Sequence, residues 1–458
     1  MRTPAPLEAT RRPAVAAFLS FLWPGLGQLA AGRRREAMIL GIPPVLLLVY
    51  LASRLIGRLD VVAVTLLDPA FSGFVVLTVV AMAGWRGIAV IDAWRREVTV
   101  PAPMRAKQVL AALLVAILLS HALVGYYAWA FYDAGSQIFI GNEPSPSPRG
   151  PTPSPDPRAT PAPPTPTPVP TPPPSDRISI LLTGVDSGHD RAHALTDTML
   201  VVSVSPSKGT VAMISFPRDI AQFPLYLGGT YNDKLNSLQT AARNNPAKYP
   251  DGPAMTLAKE LEFLLGIPIQ YTASINLEGF EKMVNLVGGV DVVVERRIAD
   301  PSYDWFDGTH GFFLSAGPHH LDGRTALAFV RSRMGAGDND FTRARRQQQL
   351  LVALKDKLSD AGVIAKLPQL LEIASKTVST NVPPDKAREY MELAGTIDEA
   401  DISRYVLGPP YAVHPPTNTT GGVYILRLDL TKVAAMSVDL FGTDSRYFGA
   451  LPSPSPER

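Results

Sequence analysis

The sequence predicts an N-terminal α-helical membrane region followed by a water-soluble α/β domain, and three observations predict it. Long apolar runs are confined to residues 1–141. Residues 142–176 are almost entirely Pro, Ser and Thr, a composition that buries no core and favours polyproline II. From Arg177 onward, apolar residues recur at strand and helix periods. A chain of 458 residues has room for this division, and 46% hydrophobic residues beside 44 prolines is what separate membrane and linker segments produce. The absence of cysteine excludes disulfide-stapled folds, thiolate zinc sites and cysteine nucleophiles. The expected boundaries are 1–141 for the membrane region, 142–176 for a disordered linker, 177–445 for the α/β domain and 446–458 for a disordered tail.

Within the first region the clearest span runs from Val109 to Ala130, long enough as a helix for a hydrocarbon core of about 30 Å. It ends in Tyr126, Tyr127, Trp129, Phe131 and Tyr132, rings suited to the headgroup layer. Shorter apolar segments cover Ala37 to Leu51 and Ala70 to Trp85. Arg86, Arg95, Arg96, Arg105 and Lys107 precede the last span, and Asp133 with few charges follows it, so the chain is expected to leave the cytoplasm there. Counting back, Arg33, Arg34 and Arg35 also fall inside. Ala14 to Ala31 carries Trp23-Pro24-Gly25-Leu26-Gly27-Gln28 at its middle and reads as a re-entrant hairpin or as a further span. A cleaved signal peptide is disfavoured, because more apolar segments follow. The linker, at about 3.1 Å per residue, holds the next domain up to roughly 100 Å away.

In the α/β domain Ile178 to Val185, Thr198 to Val204 and Thr210 to Phe216 read as strands, with Ser205-Pro206-Ser207-Lys208-Gly209 turning between the last two. Helical periodicity covers Ala254 to Leu265, Leu277 to Leu286, Asp322 to Arg331 and Asp340 to Leu358, the third with Asp322 as its cap.

Two constellations carry chemistry. Arg331, Arg333, Arg343, Arg345 and Arg346 fall within sixteen residues and are followed by Gln347, Gln348 and Gln349. On a helix from Asp340, Arg343 shares a face with Arg346 and Gln347. Guanidinium forks there match phosphate oxygens, or form a solvated face with ordinary ion pairs. The second constellation is acidic: Asp186 follows the first strand, Asp197 precedes the second, and Arg218-Asp219 follows the third. Carboxylates at neighbouring strand ends hold a hard cation such as Mg2+ together with substrate phosphates, or simply form turns. His189 and His193 near Asp186 lack the companions a zinc site needs. The chain has no Walker A sequence, no Gly-x-Ser-x-Gly elbow and no dinucleotide fingerprint. Nucleic acid is set aside as a partner, since no stacking aromatics interleave with the arginines and the expected topology places the domain outside the cell.

Over roughly residues 177–360 the sequence resembles the LytR-CpsA-Psr family of bacterial envelope proteins. The matching segments are Leu-Leu-Thr-Gly-Val-Asp ending at Asp186, Thr-Asp-Thr-Met-Leu-Val from Thr196, Ser-Phe-Pro-Arg-Asp ending at Asp219, and Lys234-Leu235-Asn236. They continue with Gly279-Phe280, Val287-Gly288-Gly289-Val290, Leu321-Asp322-Gly323, Ala326-Leu327, Arg331-x-Arg333 and Asp340-Phe341-x-Arg343-x-x-Arg346-Gln347. The resemblance implies an extracytoplasmic α/β/α sandwich with a lipid tail in an apolar tunnel, expected beside the 254–286 helices, and a pyrophosphate at its mouth. It implies transfer of a glycopolymer from a polyprenyl-pyrophosphate carrier to a cell-wall acceptor, usually peptidoglycan, through a phosphodiester link. By that resemblance Asp186 and Asp197 hold Mg2+, and Arg218, Arg331, Arg333 and Arg343 bind the pyrophosphate. Arg346 and Gln347 shape the same end of the pocket, Asp219 positions Arg218, and Asp197 or a nearby carboxylate takes the acceptor's proton. Many relatives have arginine two residues before the aspartate of the Asp-Thr motif, where this chain has Leu195; Arg191 or His193 is the available substitute. The Pro24-Gly25-Leu26-Gly27-Gln28 run also resembles small membrane modules with a Pro-Gly-x-Gly-Gln signature. Alternative readings are a pyrophosphatase with water as acceptor and a polyprenyl-phosphate-binding regulatory protein without turnover.

Overall fold

The computed structural model describes residues 7–56, 59–98, 104–139, 176–185, 196–305, 307–358 and 366–449. Most of the linker, Asp186, His189, Arg191, His193 and Leu195 lie outside the described residues. The chain forms two compact units, Met1–Ser136 and Gln137–Arg458.

In the first unit, helices Arg34–Leu55, Pro69–Glu97 and Met104–Ile138 are long and apolar enough to cross a membrane. They extend the apolar runs at both ends, because a helix continues for as long as its backbone hydrogen bonds do, whatever the hydropathy. The Pro69–Glu97 helix thus includes Arg86, Arg95 and Arg96. Leu46, Leu77, Val80, Leu118 and Leu119 are exposed on these helices, an apolar surface that lipid would cover. The 14–31 stretch is a hairpin: helix Leu7–Leu22 breaks at Trp23-Pro24-Gly25 and the short helix Leu26–Ala30 returns along it. Gly27 is required by the close approach, since a Cβ there would lie 2.1 Å from the Ala16 carbonyl oxygen. Gln28 is buried, accepts from Ser20 Oγ at 2.9 Å, and donates to the Ala89 carbonyl and to Asp92, both at 3.0 Å. Asp92 also pairs with Arg33 at 3.0 Å. The Pro-Gly-Leu-Gly-Gln run therefore acts as a polar clasp between the hairpin and the Pro69–Glu97 helix.

The second unit is built on a six-stranded mixed sheet in the order Val378–Thr380, Tyr271–Asn276, Ile178–Val185, Thr196–Ser205, Thr210–Ser215, Ile402–Val406. The three central strands predicted from sequence are antiparallel neighbours, Leu181 opposite Val201 and Val201 opposite Ile214. Tyr271–Asn276 joins Ile178–Val185 in parallel, and Ile402–Val406 joins Thr210–Ser215 in parallel. Alternation along these strands sends side chains to two covered faces. Leu181, Met199, Val201 and Ile214 pack with Leu257, Leu261, Val433 and Phe441 of helices Pro253–Leu265 and Leu430–Phe441. Leu200, Val211 and Met213 pack on the other face with Val352 of helix Asp340–Leu358 and with Ile397. A separate core joins helices Leu277–Val287 and Gly323–Arg331 to strands Val290–Val294, Ile298–Asp304, His310–Leu314 and Gly317–Leu321.

Asp322 caps its helix as expected, accepting from the Thr325 amide at 2.8 Å. Gly323 has a second reason to be glycine, because a Cβ would stand 2.1 Å from the Glu281 carbonyl oxygen of the neighbouring helix. Arg446 and Tyr447, which composition assigned to the tail, bond to the domain. The Arg446 amide donates to the Gly266 carbonyl at 2.8 Å, and Tyr447 Oη donates to the carbonyls of Phe263 and Leu264 at 3.1 and 3.2 Å. Polar residues near a chain end remain ordered when they satisfy helix C-terminal carbonyls in this way.

Candidate active site

Strand register assembles the site. Leu200 faces Ser215 across antiparallel strands, so the start of one strand, with Asp197, lies beside the end of the other, which continues to Arg218. Arg218 Nη1 donates to Asp197 Oδ1 at 3.0 Å. The pairing of Ala221 with Lys234 returns Lys234 to Asp219, with which it forms a close ion pair. From the opposite side, Asp340 opens helix Asp340–Leu358, where a carboxylate suits the partial positive charge of the helix N-terminus.

Asp340 is the hub. Its carboxylate lies 3.6 Å from Arg218 Nε, 3.6 Å from Arg333 Nη1 and 3.4 Å from Arg343 Nη2. Arg343 also donates to the Asp197 carbonyl at 3.4 Å. Arg333 is carried by a turn held on buried Asp300, which accepts from Ser332 Oγ at 2.8 Å and from the Arg333 and Met334 amides at 3.1 Å each. The structure thus brings Asp197, Arg218, Asp219, Arg333 and Arg343 together. Asp186 is outside the described residues. Arg331 stands beside Tyr303, whose hydroxyl is pushed up by burial and pulled back by that guanidinium.

The expected shared face of Arg343, Arg346 and Gln347 divides. Arg346 is buried against Asp338 at 3.3 Å, the Ser332 carbonyl at 2.5 Å and the Phe329 ring. Gln347 donates to the Val330 carbonyl at 3.2 Å. Three positions turn the side chain by about 300°, leaving Arg346 only about 60° from Arg343 on the helix, so it is the pull of Asp338 and the Ser332 carbonyl that draws the Arg346 guanidinium away. Gln348 locks the helix to the sheet by donating to Ser215 Oγ and the Tyr405 carbonyl, each at 2.8 Å.

Electrostatics separates the three carboxylates. Burial raises the Asp219 carboxyl above its usual range; the neighbouring Asp340 raises it further, against the pull of Lys234. Burial lowers Arg343 while Asp340 holds its charge in place. Asp197 is the most accessible acid, its side chain 30% exposed against 8% for Asp219 and 14% for Asp340. Arg218 Nε and Arg343 Nε are buried without a hydrogen-bond partner. Four cations facing three carboxylates form a site that attracts a multiply charged anion.

No three His, Asp or Glu side chains converge as a metal cluster among the described residues. Asp197 keeps one carboxylate oxygen clear of its bond to Arg218, a donor that suits a hard cation also held by substrate phosphates and water. Sequence reasoning did not assign Asp340, Lys234 or Asp300. Asp340 was visible as a helix start and inside a motif, and Lys234 only inside a motif. Tyr424 also joins the edge of the site, its hydroxyl raised by burial and by Asp219 and Asp340.

Residues 162–440 match the LytR_cpsA_psr family. The chain is 32% identical over 205 residues to the polyisoprenyl-teichoic acid–peptidoglycan teichoic acid transferase TagV of Bacillus subtilis, covering 44% of this chain and 49% of that protein. It is 30% identical over 232 residues to TagU of Halalkalibacterium halodurans, a transferase of the same description, covering 50% of this chain and 70% of that one. The chain therefore spans about half the length of TagV. The crystal structure of B. subtilis TagV aligns with a TM-score of 0.45 at 26% identity, over 58% of this chain and 97% of that one. With well over half of the sequence inside the family match, the chain belongs to the LytR-CpsA-Psr family.

Proposed function

We propose that the protein transfers a glycopolymer from a polyprenyl-pyrophosphate carrier to peptidoglycan, forming a phosphodiester link with the help of Mg2+. The observation that carries this reading is the convergence of Arg218, Arg333 and Arg343 on Asp340 beside the accessible carboxylate of Asp197. The relatives' description as polyisoprenyl-teichoic acid–peptidoglycan transferases supports the substrate class.

In the proposed reaction the acceptor hydroxyl attacks the phosphorus attached to the polymer. The new P–O bond forms as the bond to the lipid phosphate breaks, and the hydroxyl proton leaves to Asp197 or to solvent. Products are the phosphodiester, polyprenyl phosphate and one proton. Arg218, Arg333 and Arg343 hold the pyrophosphate oxygens and stabilise the charge that collects on the leaving phosphate. Asp340 and Asp219 fix these cations rather than meeting substrate, and Lys234 holds the Asp219 carboxylate in place beside Arg218. Asp197, with Asp186 by the family resemblance, would hold Mg2+, which would supply further charge neutralisation at the phosphates. The basic residues flanking the membrane helices support a location of the Gln137–Arg458 unit outside the cytoplasm and a multi-pass anchor.

The test incubates the detergent-solubilised full chain with a polyprenyl-pyrophosphate oligosaccharide, purified cell wall and Mg2+. Covalent transfer is expected to require the metal and to fall about 100-fold or more in Arg218→Ala and Asp197→Ala. Tight lipid binding with no covalent product from a matched donor and acceptor sinks the transferase reading.

A further inference from the structure

The helix that carries Arg343 toward Asp340 presents a different set of arginines to a second cavity. That cavity, about 850 Å³, is lined by Arg345 and Arg346 of helix Asp340–Leu358, by Arg296 and Arg297 after strand Val290–Val294, and by Arg404 of the edge strand. Asp197, Arg218, Asp219, Arg333, Asp340 and Arg343 are not among its lining residues. Five arginines there face two carboxylates, Glu295 and Asp338.

Two of these charges are already engaged: Arg404 pairs with Glu399 at 2.7 Å, and Arg296 donates to the Gly337 carbonyl at 3.1 Å. Arg297 and Arg345 are exposed and have no ion pair among the described residues. Arg346 lies deepest, only 8% exposed, and its Nε and Nη1 have no hydrogen-bond partner although Nη2 meets Asp338 and the Ser332 carbonyl. Burial lowers its pKa, so the charge is kept at a cost that Asp338 and Asp300 offset only in part. A desolvated guanidinium with spare donors, backed by two unpaired arginines at the rim, is a receptor for an anion.

We propose that this cavity is an exosite for a phosphodiester-bearing segment of the glycopolymer, separate from the pyrophosphate site and divided from it by the Asp340–Leu358 helix. Arginines spread over a cavity this large suit repeated phosphates along a chain better than one compact anion. Several phosphate contacts made together raise affinity beyond what each makes alone. The inference rests on the transferase reading only in taking the polymer to be the donor's.

The test uses the full chain in nanodiscs and a fluorescent poly(glycerol phosphate) oligomer, followed by polarisation. Arg297→Gln with Arg345→Gln, both exposed and safe for folding, is expected to weaken oligomer binding about tenfold or more, while Arg218→Ala leaves it within about twofold. Oligomer binding that is unchanged in the double variant overturns the proposal. Equal displacement by inorganic phosphate at matched phosphate concentration also overturns it, marking a free-phosphate site, and so does equal displacement by neutral dextran. If the double variant loses the oligomer while the wild-type chain transfers nothing to cell wall, the exosite stands and the transferase reading fails.

Discussion

Asp340 shows how much a single side chain contributes. One carboxylate anchors three guanidinium groups that come from a strand end, a turn and its own helix. Replacing it with asparagine keeps the shape and removes the charge, so the arginines repel one another and lose their common geometry. Asp340→Asn is expected to reduce transfer about 100-fold. It is also expected to lower the unfolding midpoint, because buried Arg343 loses its ion-pair partner; an unchanged rate in the cell-wall assay removes Asp340 from the site. Sequence reading singled out Arg218, Arg333 and Arg343 because clustered arginines announce anion chemistry. It missed Asp340 because a lone aspartate at a helix start has an ordinary local explanation. Its second role arises only when folding brings Arg218, more than a hundred residues away, and the turn that carries Arg333 to the helix start.

At the scale of elements, the motifs read from the sequence turn out to be joints. Gly323 begins a helix where the Glu281 carbonyl leaves no room for a Cβ, and its amide donates to Asn285 Oδ1 at 2.7 Å. Gly323→Ala must therefore push two helices apart. A loss of about 1–3 kcal/mol in urea unfolding is expected, and a loss near zero means that the two helices are not packed as described. Helix Asp340–Leu358 was legible to the residue, since its apolar spacing and acidic start agree. Edge strands Val378–Thr380 and Ile402–Val406 were not, because short strands with mixed polarity gain their identity from the neighbours they pair with.

At the scale of the whole α/β unit, Glu260 couples stability to pH. It is fully buried under the sheet, accepts from the Tyr226 amide at 3.1 Å, and burial pushes its carboxyl up to about 7. Between the ordinary carboxylate range and about 7 the folded state holds a proton that the unfolded chain has released, so stability falls as pH rises through that window. Asp219, also raised, contributes in the same direction. Urea unfolding of the full chain is expected to lose up to about 3 kcal/mol through Glu260 between pH 5 and pH 8. Glu260→Gln is expected to lose that dependence, and an equally steep profile in the variant assigns it elsewhere.

The sequence by itself determined the division into an apolar helical region, a proline-rich linker and an α/β domain, since composition and periodicity are local properties. It also determined the family, because the family's motifs are contiguous along the chain. The tertiary structure decided which charges meet. It brought Asp340 to three arginines, sent Arg346 to a separate cavity from Arg343, and drew Arg446 and Tyr447 into the fold. Electrostatics and packing act through space, and their partners lie far apart along the chain, so these choices exist only once the strands have paired and the helices have closed over the sheet.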